Sequence, residues 1–166
     1  IGVVHRALAV LWFIVTPTFA QEWIWGEDPS QCTIRTSVVV PGGVESVRLS
    51  MTADNRFEAS FDGVVVLKGD NWQRLYVATV ALAPGEHVLE VACVNDGGPA
   101  AFAATIEVGD RLMVSDGSWL ADGKAPISLG LTKAMAGPWS DPFAEAVATL
   151  PSKIIVPEGF EVELLY

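Results

Sequence analysis

The sequence predicts an all-β fold, an antiparallel β-sandwich, and three observations carry that expectation. Short runs of alternating apolar and polar residues recur along residues 32–116. Turn signals separate them about every 8–12 residues, the spacing of sandwiches and barrels. Gly and Pro fall between the runs and not inside them, as strand interiors require, and no segment over residues 21–116 shows a helical period. The composition agrees. Of 166 residues, 51% are hydrophobic and 18% charged, enough apolar material for a core and too little charge for a disordered chain.

The elements follow in order. Residues 5–21 read "HRALAVLWFIVTPTFAQ", with a basic start at His5 and Arg6, an apolar run, and small residues at Thr18 and Ala20. This is the layout of a secretory signal segment, residues 1–20, cleaved after Ala20. The expected product is exported, periplasmic or extracellular, with no membrane span after cleavage, since the apolar run is short for one. "CTIRTSVVV" alternates, with Cys32, Ile34 and Val38 on one face and Thr33, Arg35 and Ser37 on the other. "PGG" ends it. "VESVRLSMTA" sends Val47, Leu49 and Met51 inward. "RFEASFDG" puts Phe57, Ala59 and Phe61 on one face, and Asp62–Gly63 is a hairpin signal. "VVVLKG" returns, "RLYVATVAL" follows, and "HVLEVACVN" turns Leu89, Val91 and Cys93 inward. "AAFAATIEV" and "RLMVSD" complete about eight runs. The core should contain Leu49, Phe57, Phe61, Leu89 and Val91, and the sandwich should occupy residues 21–119. The texture then changes. Residues 120–153 read as a linker or packed tail with one short helix over residues 142–150, capped by Asp141. Residues 154–166, "IIVPEGFEVELLY", resume β-type alternation.

Charge and motif content exclude several function classes. A net charge of −10 with no basic cluster repels phosphate backbones, so no nucleic-acid partner is expected. Only two cysteines, Cys32 and Cys93, are present, without C-x-x-C, so no zinc cluster or thioredoxin-type site is expected. Both have core-facing parity, and export permits disulfides, so they are read either as two buried thiols or as a disulfide. Beyond residue 20 the sole histidine is His87, beside a turn. No G-x-S-x-G, G-x-G-x-x-G or phosphate loop accompanies it. No catalytic residue, resident metal or cofactor is therefore assigned. Asp54, Asp62, Asp70 and Asp96 all fall at turns and read as solvated turn acids.

What remains is a set of ring-bearing and polar loop residues. Trp72 sits in "GDNWQR", which looks exposed, and Trp23 and Trp25 flank the first alternating run. Aromatic faces stack on sugar rings, with Asp and Asn supplying hydrogen bonds. The candidate ligand-binding set is Trp72, Asp54, Asn55, Asp70, Asn71, Asn95 and Asp96. The same oxygens make Ca²⁺ a candidate ligand.

The stretches "SVVVPGGVESVRLSMTADNRFEASFDG", "LAPGEHVLEVACVNDGGPAAFAATIEV" and "LMVSDGSW" resemble a jelly-roll module. It is the galactose-binding-like, sugar-binding-type β-sandwich found at the N-terminus of bacterial α-L-rhamnosidases and in related glycoside hydrolases. The resemblance covers a little over half the chain and rests mostly on turn chemistry. It implies a non-catalytic accessory module whose parent keeps its catalytic acids in another domain. "GPWSDPF" followed by "IIVPEGFEVELLY" resembles the approach to the β-propeller of large secreted planctomycete-type proteins described as membrane-bound dehydrogenase-like. That likeness implies that residues 154–166 are the first strand of a following domain. The reading that results is an accessory module binding carbohydrate or docking a neighbouring dehydrogenase-like domain. A structural spacer and a glycoside hydrolase fragment are the alternatives.

Overall fold

The computed structural model describes residues 20–134 and 139–144. The expected signal segment, most of the proposed helix over 142–150 and the β-type run at 154–166 lie outside them. Eleven strands are present among the described residues. They are β1 (Glu22–Trp25), β2 (Gln31–Val40), β3 (Ser46–Asp54), β4 (Arg56–Phe61), β5 (Val64–Gly69) and β6 (Tyr76–Ala81). After these come β7 (Gly85–Val94), β8 (Ala101–Val108), β9 (Arg111–Val114), β10 (Leu120–Ala121) and β11 (Ile127–Leu131). They form two sheets. One is six-stranded, in the order β11-β1-β8-β3-β6, with β9 also paired to β8. The other is five-stranded, in the order β10-β2-β7-β4-β5. Every pairing is antiparallel. No helix of the described residues is long and apolar enough to cross a membrane.

Alternation sets which side chains meet between the sheets. Ile34 and Val38 from β2, Leu49 and Met51 from β3, Phe57 and Phe61 from β4, Leu89 and Val91 from β7 and Ile106 from β8 are all buried there. The five core residues expected from the sequence are among them. A one-residue slip of any of these strands would turn its apolar set to solvent, so burial fixes the register. The β4–β5 hairpin shows the local chemistry. Asp62 (φ 49°) and Gly63 (φ 82°) both take positive φ, as a two-residue type I′ turn demands.

The sandwich does not end at Trp119, as the sequence suggested. Residues assigned to a linker add a strand to each sheet: β10 pairs with β2, and β11 pairs with β1. Trp23 and Trp25 precede the first alternating run, as expected, and lie in a strand of their own, β1, which pairs with β11 and β8. Of the proposed helix only its first residues are described. They form a turn in which the Asp141 carboxylate accepts the Phe143 N–H at 3.0 Å.

A third layer covers part of the six-stranded sheet. Residues 101–104 of β8 are buried on both faces. Phe102 and Ala104 face the main core, while Ala101 and Ala103 face outward beneath Trp23 and Trp139. Alanine at these outward positions leaves room for two indoles to lie against the sheet. The rings of Trp23 and Trp139 stand 5.3 Å apart at 32°, within the offset-stacking range. Trp72 and Phe143 pack against the same cluster.

Candidate functional site

The loops at one end of the sandwich carry the predicted ligand residues but distribute them over separate places. These loops are the β1–β2 loop, the β3–β4 turn, the β5–β6 loop and the β7–β8 loop. Hydrogen bonds join the first, second and fourth of these. Asn55 Oδ1 accepts the Asp96 N–H at 2.7 Å. Asn95, buried, donates from Nδ2 to Pro29 O at 2.9 Å and Gly98 O at 3.1 Å, and its Oδ1 accepts the Gly97 N–H at 3.1 Å. Both side chains therefore brace loops against one another. Asn71 Oδ1 accepts the Gln73 N–H at 2.9 Å, which holds the β5–β6 loop in an Asx turn.

Two residues differ from their sequence reading. Asp54 is buried, not solvated, and its Oδ2 accepts the Trp139 indole N–H at 3.1 Å. Burial pushes its carboxyl above the usual range, and the indole N–H pulls part of the way back. Trp72 is half-buried and not an exposed platform. The β5–β6 loop crosses the outer face of the six-stranded sheet, where Thr52 Oγ1 donates to Trp72 O at 3.1 Å. Asp54 and Trp72 thus belong to the layer around Trp139.

Asp70 and Asp96 lie elsewhere, at a groove on the outer face of the five-stranded sheet. This groove has a volume of about 650 Å³ and is lined by Arg56, Glu58, Lys68, Asp70, Ala92 and Val94, with Phe57 and Gly69 at its wall. The floor is apolar (Ala92, Val94), and the rim carries both signs of charge. Arg56 pairs with Asp96, and Lys68 with Glu58. The Tyr76 hydroxyl donates to Asp70 Oδ1 at 2.8 Å and accepts the Asp70 N–H at 3.2 Å. The Tyr76 ring meets Phe57 edge-on, with centroids 5.6 Å apart. Gly69 is required by this packing: a Cβ there would stand 2.7 Å from Tyr76 Cδ2 and collide with the Phe57 ring.

Sequence reading missed Arg56, Glu58, Lys68, Ala92, Val94 and Trp139. The outward parity of β4 and β7 was a usable signal for four of them, but only the order β7-β4-β5 places them side by side. Among the described residues no group of three or more His, Cys, Asp or Glu side chains converges as a metal site would require. Cys32 and Cys93 are free thiols, both buried.

No protein-family model matches the sequence, and no curated protein does. Solved structures do. The lectin from Pleurotus ostreatus, in complex with GalNAc, matches 77% of this chain with a TM-score of 0.64 and 22% identity, over 46% of its own length. The α-L-rhamnosidase of Streptomyces avermitilis, complexed with L-rhamnose, matches 73% with a TM-score of 0.64 and 23% identity, over 15% of its length. The GH78 family rhamnosidase of Bacillus sp. GL1 matches 68% with a TM-score of 0.53 and 22% identity, over 14% of its length. The chain spans less than half the length of each. What they share with this chain is the fold, an antiparallel β-sandwich.

Proposed function

We propose that the protein is a non-catalytic carbohydrate-binding module whose saccharide lies in the groove between Arg56, Glu58, Lys68 and Asp70. The observation that carries this reading is the groove's build: an apolar floor with a rim of fixed donors and acceptors of both charges. A sugar ring presents the complementary surface, with C–H patches on its faces and hydroxyls at its edge, and neither sign of charge dominates the rim. The likeness in fold to a lectin solved with GalNAc and to rhamnosidases supports the saccharide class. In a longer exported protein the module would hold a neighbouring catalytic or dehydrogenase-like domain near its substrate, as the sequence resemblance implies. The oxygen-rich loops keep Ca²⁺ as a ligand to be tested alongside.

Glycan-array screening of the purified chain, followed by calorimetric titration, tests the reading. GalNAc, galactose and L-rhamnose are the first probes, with and without added Ca²⁺. Millimolar affinity corresponds to only about −4 kcal/mol, so titrations must reach that range. Asp70→Ala and Arg56→Ala should each weaken binding about tenfold or more while leaving the fold intact by circular dichroism. No retention on any glycan at millimolar concentration would sink the proposal and favour the spacer role.

A further inference from the structure

We propose that Cys32 and Cys93 join in an intramolecular disulfide when the protein meets a low-molecular-weight disulfide oxidant. The two stand directly opposite each other on β2 and β7. Two positions along, Asn95 N–H donates to Ser30 O at 2.8 Å, which marks Ser30–Asn95 as a hydrogen-bonded pair. Antiparallel pairs alternate, so Cys32–Cys93 is one as well, and its Cα atoms lie about 5.5 Å apart. That falls inside the Cα range a disulfide spans, roughly 4.4–6.8 Å, and a small shift of the pair brings the Cβ atoms from about 5 Å to the roughly 4 Å the bond needs. Parity turns both side chains to the same face of the sheet, into the core.

Chemistry fits the step. A second cavity, of about 350 Å³, lies against this end of the β2–β7 pair, with Asp28, Gln31, Thr33 and Asp122 in its lining, while both thiols stay buried in the core, so the oxidant meets them when the pair opens or while the chain refolds. Burial pushes the Cys93 thiol well up, while contact between the thiols holds Cys32 lower. Cys32 is thus the first nucleophile. Its thiolate attacks one sulfur of the oxidant, forming a mixed disulfide and expelling one small thiol. Cys93 then loses its proton and attacks the Cys32 sulfur, and the second small thiol leaves. Two protein thiols are oxidised and one small disulfide is reduced to two thiols. The bond would staple the central β2–β7 pair beside Ala92 and Val94, the floor of the groove. It stands independently of what the groove binds.

Oxidised glutathione is the probe. The reduced, full-length chain is incubated with it at about pH 8, where thiolates are available, then unfolded and alkylated with iodoacetamide. A second sample is refolded from urea in a glutathione redox buffer, so that access to the folded core is not limiting. The expected product carries no alkyl group, has a mass lower by about 2 Da, and yields a Cys32–Cys93 cross-linked peptide. Its thermal midpoint should exceed that of the reduced chain. Cys93→Ser should instead retain a glutathione adduct on Cys32. The cross-link in either wild-type sample supports the pairing. Its absence from both, with alkylated thiols or persistent glutathione adducts in its place, overturns it.

Discussion

His87 shows how far one turn residue can tie a structure together. Its Nδ1 lies 2.7 Å from Asp62 Oδ2 and its Nε2 lies 2.8 Å from Ala83 O. Both partners can only accept, so the ring satisfies both when it carries two protons. Asp62 Oδ1 also accepts the Val88 N–H at 2.8 Å, so the β4–β5 turn is fastened to β7 and to the loop before it. The bond to Asp62 raises the imidazole above its ordinary 6.5. The Val88 N–H and His87 lower the Asp62 carboxyl below its ordinary 3.8. The two shifts act at opposite ends of the pH scale. The His87 contribution is full below its unfolded value and is lost as pH rises through the raised folded value. The Asp62 contribution is present above its unfolded value and is lost as pH falls through the lowered folded one. The fastening is therefore complete between roughly pH 4 and pH 6.5. His87→Gln should lower the thermal midpoint most in that window, and the gap should narrow towards about pH 9. A gap of constant size across that range would mean the imidazolium contributes nothing.

Elements with a long period of alternation were legible, and short or doubly covered ones were not. β2 and β7 each run for ten residues and declare their faces plainly. β10 has two residues, and β11 is a five-residue run, Ile-Ser-Leu-Gly-Leu, in which Gly130 takes a φ of 103°. Neither is long enough to show a period, and only pairing with a distant strand defines them. The site divides in the same way. Turn chemistry revealed that Asn55, Asn71, Asn95 and Asp96 sit in loops, but the bonds among those loops depend on the strand order. The groove draws on Arg56 and Lys68 from the β4–β5 hairpin and on Ala92 from β7, and no local motif joins the hairpin to β7. The Trp139 layer was hidden for a different reason. A tryptophan in a Pro- and Gly-rich stretch has no periodicity from which to infer burial. Yet it covers Trp23 and supplies the indole N–H that Asp54 accepts. Trp139→Ala should therefore cost about 3–5 kcal/mol in urea unfolding, the usual range for a buried Trp, with a change in tryptophan fluorescence as Trp23 meets water. A loss below about 1 kcal/mol would mean that the layer adds little to the sandwich beneath it.

At the scale of the whole molecule, the two sheets are closed by contacts between segments far apart in sequence. β1 pairs with β11 at three positions and with β8 at one, Ile24↔Phe102. Thr132 N–H donates to Gln21 O at 3.0 Å, which extends the β1–β11 contact by one step. Ser115 adds a hook: its Oγ donates to Glu22 O at 2.7 Å, and Glu22 N–H donates to Ser115 O at 2.8 Å. β1 is thus held along one edge mainly by β11 and at its start by Ser115. Long-range pairings of this kind give up loop entropy before contact energy is recovered, so β1 depends on its few partners to stay docked. Ending the chain after Pro126 removes β11 together with the Trp139 layer, so Trp139→Ala is the control that isolates the layer; beyond that control, the shortened chain should be affected in β1 more than in the rest. Without β11, the strand keeps one ladder pair and the Ser115 hook, and its outer edge presents unpaired N–H and C=O groups to water. Hydrogen exchange should then accelerate at Trp23, Ile24 and Trp25 by about tenfold or more, the equivalent of roughly 1.4 kcal/mol of local opening. Protection in β2, β7 and β4 should persist, because their partners lie wholly in the other sheet. Equal loss of protection in both sheets would show that β11 supports the entire sandwich. Unchanged exchange in β1 would show that the Ser115 hook and β8 suffice, and that β11 does not close the sheet.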